Sequence, residues 1–160
     1  MLTKLVNTIM KNAPHLLPDP SYVEMLNVDL SDNFLIPFFG CMVPAGFPSP
    51  ADDYIELQIS ITDIVTNNPH STYFVRVHGD SMQDAHIMDG SVLAVDRSLE
   101  AKSGDIIVAI VSNEFTVKRF IKRQGKGYLV PENKKYQALE ITPEMDFEVW
   151  GKVVTVLHKL

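Results

Sequence analysis

Length, composition and charge exclude several classes of protein. The chain has 160 residues, of which 46% are hydrophobic and 21% charged, so it is not wholly disordered. Cys41 is the only cysteine, which excludes an intramolecular disulfide scaffold and favours a reducing, cytoplasmic compartment. No apolar run approaches the roughly 18 residues of a membrane span. The net charge of −6 argues against unspecific binding to phosphate backbones as the main role.

The first 45 residues are predicted to form an arm. Residues 2–10 carry apolar side chains at helical spacing, which favours one short amphipathic helix. Seven of the ten prolines fall between positions 14 and 50. Proline fixes φ and lacks an N–H donor, so this stretch is expected to be extended rather than a long helix or a central strand. Residues 34–39 are too apolar for a free linker, so we expect the arm (1–45) to dock onto a domain formed by residues 46–160.

From residue 54 onward the pattern changes to short strands. Residues 55–61 alternate apolar and polar side chains, as a half-buried strand does, and residues 62–67 are predicted to add one helical turn. Further strands are predicted at residues 73–78, 91–96, 105–111, 115–123, 128–131, 147–150 and 152–158, with a hairpin turn at 112–114. The sequence therefore predicts a mainly β fold, a compact domain of twisted antiparallel sheets.

Ser81 follows a predicted strand directly and is the first candidate catalytic residue. It lies in Gly79-Asp80-Ser81-Met82, where the glycine allows a tight backbone path. In such a turn the backbone N–H groups of Ser81 and Asp80 are the expected donors to a developing oxyanion. Most turns of this composition are only turns, so the motif is weak by itself.

Lys118 is the second candidate. In a strand, Thr116, Lys118 and Phe120 share one face and Arg119 lies on the other. Both faces carry apolar residues, so one of the two cations is expected to be partly buried. A snorkelling lysine keeps its amine in water. A desolvated lysine has a lowered pKa and can accept a proton from a serine hydroxyl, although residue statistics favour snorkelling.

The third element is the peptide bond between Ala45 and Gly46. Two very small residues stand before Phe47-Pro48-Ser49-Pro50, and the prolines hold the chain extended. Such a bond can enter a narrow active site, whereas the plainer interpretation is a rigid linker.

These three elements, in this order, resemble the LexA-like self-cleaving serine peptidases, and within them the UmuD-type proteins of bacterial SOS mutagenesis. The resemblance spans residues 46–158 and is carried by the segments 46–54, 72–75, 79–82, 104–107 and 114–118. It implies a catalytic dyad with Ser81 as nucleophile and Lys118 as general base. It also implies that the chain is its own substrate, cut between Ala45 and Gly46, with no cofactor and no metal.

The resemblance implies partners as well. These are a second copy of the chain in a homodimer, the RecA–single-stranded DNA filament that promotes cleavage, and UmuC, the catalytic subunit of the lesion-bypass DNA polymerase V. Direct sequence-specific DNA binding is not expected, because 45 proline-rich residues cannot hold the winged DNA-reading domain of LexA.

Other interpretations of the same residues stay open. The chain is alternatively a binding module with a silent dyad, or a self-cleaving regulator like LexA and the phage repressors. His78 is a weaker candidate base, because it lies only three residues from Ser81. A metal site in the same loop is disfavoured, because its ligand spacing matches neither the EF-hand loop nor a zincin. Its members would be His78, Asp80, Asp84, His86 and Asp89.

Overall fold

Antiparallel strands dominate the computed structural model, which describes residue 19 and residues 21–27, 35–39 and 56–160. The predicted N-terminal helix and the bond between Ala45 and Gly46 lie outside these residues. In chain order the elements are β1 (Tyr22–Leu26), β2 (Leu35–Phe39), β3 (Glu56–Ser60), α1 (Ile61–Val65), β4 (Thr72–His78), β5 (Val92–Asp96), β6 (Ile106–Val111), β7 (Glu114–Arg123), β8 (Lys126–Val130), β9 (Leu139–Ile141) and β10 (Phe147–Leu157). Short 3₁₀ turns cover Pro69–Ser71 and Gln83–Ala85.

The strands form one large sheet and one small one. The eight-stranded sheet has the order β1-β4-β5-β10-β6-β7-β8-β9, and β2 and β3 form a separate pair. Every pair is antiparallel. The large sheet curls until β1, at one edge, contacts β7. The predicted mainly β fold of antiparallel sheets is confirmed. In the part of the chain described, no helix has the length and apolar character needed to cross a membrane.

Both described strands of the arm are extended, in line with its proline content. β1 is the edge strand beside β4, where Val23 stands opposite Val77. β2 contains Pro37 and, among the strands that the structure describes, pairs with β3. Proline is tolerated in an edge strand because a position whose N–H would face away from the partner needs no donor.

Three local features differ from the sequence prediction. The two strands predicted at 147–150 and 152–158 are one strand, β10, whose register shifts between Val149 and Gly151. A bulge thus continues the strand where the sequence suggested a break. The β6–β7 turn has two residues, Ser112 at φ 50° and Asn113 at φ 66°, the mirror-image turn that matches strand twist. The short strand β9 was not predicted.

The main apolar core lies inside the curl of the sheet. It combines strand residues with the segment that follows β4, and its fully buried members include Val75, Leu93 and Val95 with Met82 and Ile87. Met82 is 1% exposed and Ile87 is fully buried. The residue directly after Ser81 is therefore fixed in the core, which restricts the position of the Ser81 backbone.

Gly151 at the bulge of β10 has no room for a side chain. A Cβ there would lie 2.6 Å from Val95 Cγ1 and 3.2 Å from the Asp96 carbonyl oxygen. We predict that Gly151→Ala lowers the free energy of unfolding by about 1–3 kcal/mol, as overpacking does. Urea denaturation of the variant and of the wild type measures this difference in the free energy of unfolding. Gly127→Ala is the matched control, because the atom nearest its Cβ would be the terminal Cδ1 of the Ile141 side chain at 3.1 Å, and the next would be Phe120 Cε2 at 3.5 Å, an ordinary contact distance. An equal loss in both variants would contradict the prediction.

Candidate active site

The loop after β4 places Ser81 at the inner edge of the curled sheet. Ser81 is 2% exposed. Gly79 has φ +104°, a left-handed conformation that glycine adopts without strain. Its N–H donates to Asp89 Oδ1 at 2.8 Å. Ser81 is thus held between a fixed turn on one side and the buried Met82 on the other.

Lys118 on β7 meets Ser81 across the inside of the curl. The distance from Lys118 Nζ to Ser81 Oγ is 3.1 Å. Lys118 is 7% exposed, so the amine does not reach into bulk water and the snorkelling interpretation is wrong for this residue. The structure therefore brings together the two side chains that the sequence singled out.

Three further oxygen atoms surround the Lys118 amine. Its Nζ lies 2.9 Å from Thr116 Oγ1 and 2.8 Å from the carbonyl oxygen of Val117. It also lies 2.7 Å from Oδ2 of Asp19, in the arm. Thr116 shares a strand face with Lys118, so period-2 alternation alone could have identified it. No local sequence signal points to Asp19.

Burial and the nearby carboxylate act on the pKa of Lys118 in opposite directions. Desolvation lowers this pKa and is the larger effect, the Asp19 carboxylate raises it, and the net pKa lies below the usual lysine value. Burial alone would raise the pKa of Asp19. The charge and hydrogen bond of Lys118, with hydrogen bonds from Ser21, outweigh burial and lower that pKa. Lys118 is consequently easier to deprotonate than an exposed lysine, and Asp19 limits that effect.

The arm also covers the backbone N–H of Ser81. This N–H donates to Ser21 Oγ at 3.3 Å, so a hydroxyl oxygen of the arm occupies the place in front of one predicted oxyanion donor. The close approach requires Gly79, where a Cβ would lie 2.3 Å from Ser21 Oγ and 2.8 Å from Ser21 Cα. Residues 19 and 21–26 thus form a covering segment over Ser81 and Lys118.

The other proposed groups of the loop have different surroundings. The ring of His78 stacks on Tyr22 at 4.4 Å and lies 3.4 Å from Glu24 Oε2, both on β1, and its Nδ1 lies 4.0 Å from Asp89 Oδ1. The Asp80 carboxylate accepts hydrogen bonds from Lys135 and Tyr136. Among the described residues, no three histidine, cysteine, aspartate or glutamate side chains are arranged to hold a metal ion.

Comparison with known proteins identifies the family. Residues 37–154 match the Peptidase S24-like family. The chain belongs to this family. Protein MucA of Salmonella typhimurium is 45% identical over 119 residues, 74% of this chain and 81% of MucA. Protein ImpA of Shigella flexneri is 35% identical over 128 residues, 80% of this chain and 87% of ImpA. The LexA repressor of Hahella chejuensis is 34% identical over 150 residues, 93% of this chain and 74% of LexA.

Family membership confirms the resemblance drawn from the sequence motifs. The matched region contains Ser81, Lys118 and the bond between Ala45 and Gly46. The chain is thereby placed among serine peptidases that act autocatalytically, in the company of SOS mutagenesis proteins.

The opposing effects on Lys118 give a direct prediction for Asp19→Asn. Removing the carboxylate leaves burial as the dominant influence, so the pKa of Lys118 falls further, and each unit raises its neutral fraction at pH 7 about tenfold. The measurement is an NMR titration of the Lys118 side chain in a Ser81→Ala background, which keeps the chain intact. Asp63→Asn on the exposed side of α1 is the matched control. A higher or unchanged pKa in Asp19→Asn would show that the ion pair does not set the charge of Lys118.

Proposed function

We propose that this chain cleaves itself between Ala45 and Gly46 with a Ser81–Lys118 dyad, as part of the bacterial SOS response to DNA damage. Cleavage separates the arm (1–45) from the peptidase domain (46–160). The observation that carries the proposal is the 3.1 Å contact between Lys118 Nζ and Ser81 Oγ, in a place where the lysine is 7% exposed and its pKa is lowered.

The number of N–H donors on the Lys118 amine supports a base whose protonation depends on the position of the arm. An ammonium has three N–H donors, and four oxygen atoms lie within hydrogen-bond distance of Lys118 Nζ. A neutral amine has two N–H donors and a lone pair. With the donors on Thr116 Oγ1 and the Val117 carbonyl, the lone pair is directed at the Ser81 hydroxyl. The Asp19 carboxylate suits the charged, resting form, and its departure suits the neutral, reactive form.

The reaction then follows the course of a serine acyl transfer. Lys118 takes the Ser81 proton while Oγ attacks the carbonyl carbon of Ala45, and the N–H of Ser81 stabilises the oxyanion. The lysine returns the proton to the nitrogen of Gly46, the bond breaks, and Ala45 is left as an ester on Ser81. A water molecule, deprotonated by Lys118, hydrolyses that ester and frees the arm.

The covering segment accounts for a latent chain. β1 pairs with the edge of β4, Asp19 contacts the base and Ser21 contacts the oxyanion donor. The bond between Ala45 and Gly46 needs the same two groups, so the covering segment has to leave first. In this proposal the RecA–single-stranded DNA filament acts by favouring the open form.

The remaining partners follow from the similarity to MucA and ImpA. We propose that the processed chain is a homodimer and binds a UmuC-type polymerase subunit. Sedimentation equilibrium of the cleaved chain tests the first statement, and co-purification with a co-expressed UmuC-type subunit tests the second. A monomer at micromolar concentration would contradict the homodimer, and a lack of co-purification would contradict binding to the UmuC-type subunit.

The dyad predicts a pH profile of cleavage. In purified protein, spontaneous cleavage should rise with pH and level off above the pKa of Lys118, because only the neutral amine is a base. Ser81→Ala and Lys118→Arg should yield no product starting at Gly46, since arginine stays protonated. Mass spectrometry between about pH 6 and about pH 11 measures this. Lys122→Arg, on the exposed end of β7, is the matched control.

The cut site has its own variant in the same assay. Gly46→Glu should block processing, because a charged side chain would enter a desolvated site, and the folded domain should be unchanged. In the pH experiment, a cleavage rate that already levels off at pH 7, or cleavage by Lys118→Arg, would show that Lys118 is not the base. Either result would favour His78 as the base, since a histidine titrates near neutral pH. Normal processing of Gly46→Glu would place the cut elsewhere.

Weakening the covering segment should activate the chain without RecA. Val23 on β1 packs against the main core and faces Val77, so Val23→Asp puts a charge into an apolar contact. If this weakens β1 by about 1.4 kcal/mol, the open population and the cleavage rate at pH 7 rise about tenfold.

The matched control is Met25→Asp on the same strand. Met25 is 42% exposed, so this substitution removes little apolar contact and should leave the stability of β1 nearly unchanged. RecA filament should stimulate Val23→Asp less than wild type, since part of its effect is already present. A slower Val23→Asp protein that remains folded would mean that β1 assists cleavage instead of delaying it.

A further inference from the structure

The segment after β8 holds the Ser81 loop through hydrogen bonds that the dyad itself does not require. The side chain of Asn133 donates from Nδ2 to the carbonyl oxygen of Asp80 at 2.8 Å. The N–H of Asp84 donates to the carbonyl oxygen of Glu132 at 2.8 Å. Asn133 is 5% exposed, so a polar side chain is buried here against the backbone of the residue before the nucleophile.

The carbonyl that Asn133 holds belongs to the peptide unit that carries the N–H of Ser81. A trans peptide is planar, with its C=O and N–H pointing in opposite directions. The Asp80 carbonyl accepts from Asn133 Nδ2 at 2.8 Å and, at the longer distance of 3.2 Å, from the N–H of Gln83. Fixing this carbonyl on one side fixes the direction of the Ser81 N–H on the other. That N–H points into the cleft, where it meets Ser21 Oγ at 3.3 Å. A donor on the carbonyl also polarises the amide and strengthens its N–H.

Asn133 is itself held in place. Its Oδ1 accepts from the N–H of Lys135 at 3.0 Å, and its carbonyl oxygen accepts from the N–H of Tyr136 at 3.1 Å. Asn133 Nδ2 also lies 3.2 Å from Asp80 Oδ2. The amide therefore has a defined orientation, with its NH₂ group toward Asp80.

Two neighbours contact only the carboxylate of Asp80. Lys135 Nζ donates to Oδ2 at 3.2 Å, and the Tyr136 hydroxyl donates to Oδ1. The hydrogen bond to Asp80 raises the pKa of Tyr136 to about 12, so this hydroxyl remains a donor at alkaline pH. These two residues allow the carbonyl contact to be separated from the carboxylate contacts.

We propose that Asn133 is a positioning residue for the oxyanion donor, because its side-chain amide fixes the Asp80–Ser81 peptide and aims the Ser81 N–H at the substrate carbonyl oxygen. The inference rests on the proposed self-cleavage. It assigns Asn133 no contact with the scissile bond and no part in the proton transfer between Ser81 and Lys118.

The test separates the plateau rate of cleavage from the pH at its midpoint. Asn133→Asp keeps the shape but replaces the NH₂ donor with an oxygen atom, which repels the Asp80 carbonyl. Its plateau rate should fall about tenfold to a hundredfold, as misplaced oxyanion donors do. The midpoint pH should rise only slightly, because the new carboxylate raises the pKa of Lys118 from beyond contact distance, and a higher midpoint alone leaves the plateau rate unchanged.

Matched variants distinguish positioning from loss of stability. Tyr136→Phe and Lys135→Met remove only carboxylate contacts and should keep the plateau rate within about threefold. Gly151→Ala, destabilised at a distance from the dyad, should keep it as well. If Asn133→Asp cleaves at the wild-type plateau rate, or Tyr136→Phe falls as far as Asn133→Asp, the inference is overturned.

A second measurement does not depend on cleavage. At about pH 6 the uncleaved chain is observed by NMR, and the Ser81 amide resonance should move in Asn133→Asp but not in Lys135→Met. An unmoved resonance contradicts the inference even if the chain cleaves itself. If wild type never cleaves, the proposed function fails, and the amide resonance still decides whether Asn133 orients this peptide.

Discussion

The contact between the Lys118 amine and the Ser81 hydroxyl depends on how strongly the eight-stranded sheet curls. β4, which leads into Ser81, and β7, which carries Lys118, are separated by β5, β10 and β6. In a flat sheet four steps of about 4.8 Å would hold these strands about 19 Å apart. β10, in the middle of this interval, has register shifts at Val149/Gly151 and at Val153/Thr155. Bulges bend strands and increase their twist, so the middle strand supplies curvature that brings Lys118 and Ser81 together.

Burial lowers the pKa of Lys118, and it also makes the charged amine energetically unfavourable unless the arm supplies a counter-charge. A buried ammonium without a counter-charge is unfavourable, so desolvation drives Lys118 toward its neutral form. Asp19 supplies the counter-charge at 2.7 Å. The ion pair therefore stabilises both the docked arm and the charged form of Lys118. In the proposed mechanism, this single carboxylate of the arm contributes both to docking and to the suppression of catalysis.

The sequence predicted the parts of the site that lie in local motifs. Ser81 was found because it follows a glycine at a strand end, and Lys118 because both faces of its strand carry apolar residues; the family resemblance joined the two. The lysine's partners Asp19 and Val117 carbonyl, and the contact of Asn133 with Asp80, were not found. Asn133 is 53 positions from Asp80 along the chain, and such pairs arise only from strand order. The same reason explains the missed bulge in β10, because Gly151 suggested a break when considered without its neighbours Val95 and Asp96.

Protonation and opening of the cleft are coupled in the proposed mechanism. The closed form binds the proton on Lys118 more tightly than an open form without Asp19 would, because Asp19 raises the pKa of Lys118. By linkage, the neutral amine favours opening to the same extent that the carboxylate favours the charged amine. Alkaline solution therefore acts on both steps, since it deprotonates the base and weakens the contact that covers it. A partner that removes β1 at neutral pH acts on the same equilibrium from the other side. It exposes the edge of β4, to which an extended substrate segment can add as a strand, and it leaves the buried amine without its counter-charge. Opening and activation of the base are then one event, which requires no catalytic group beyond those that the chain already holds.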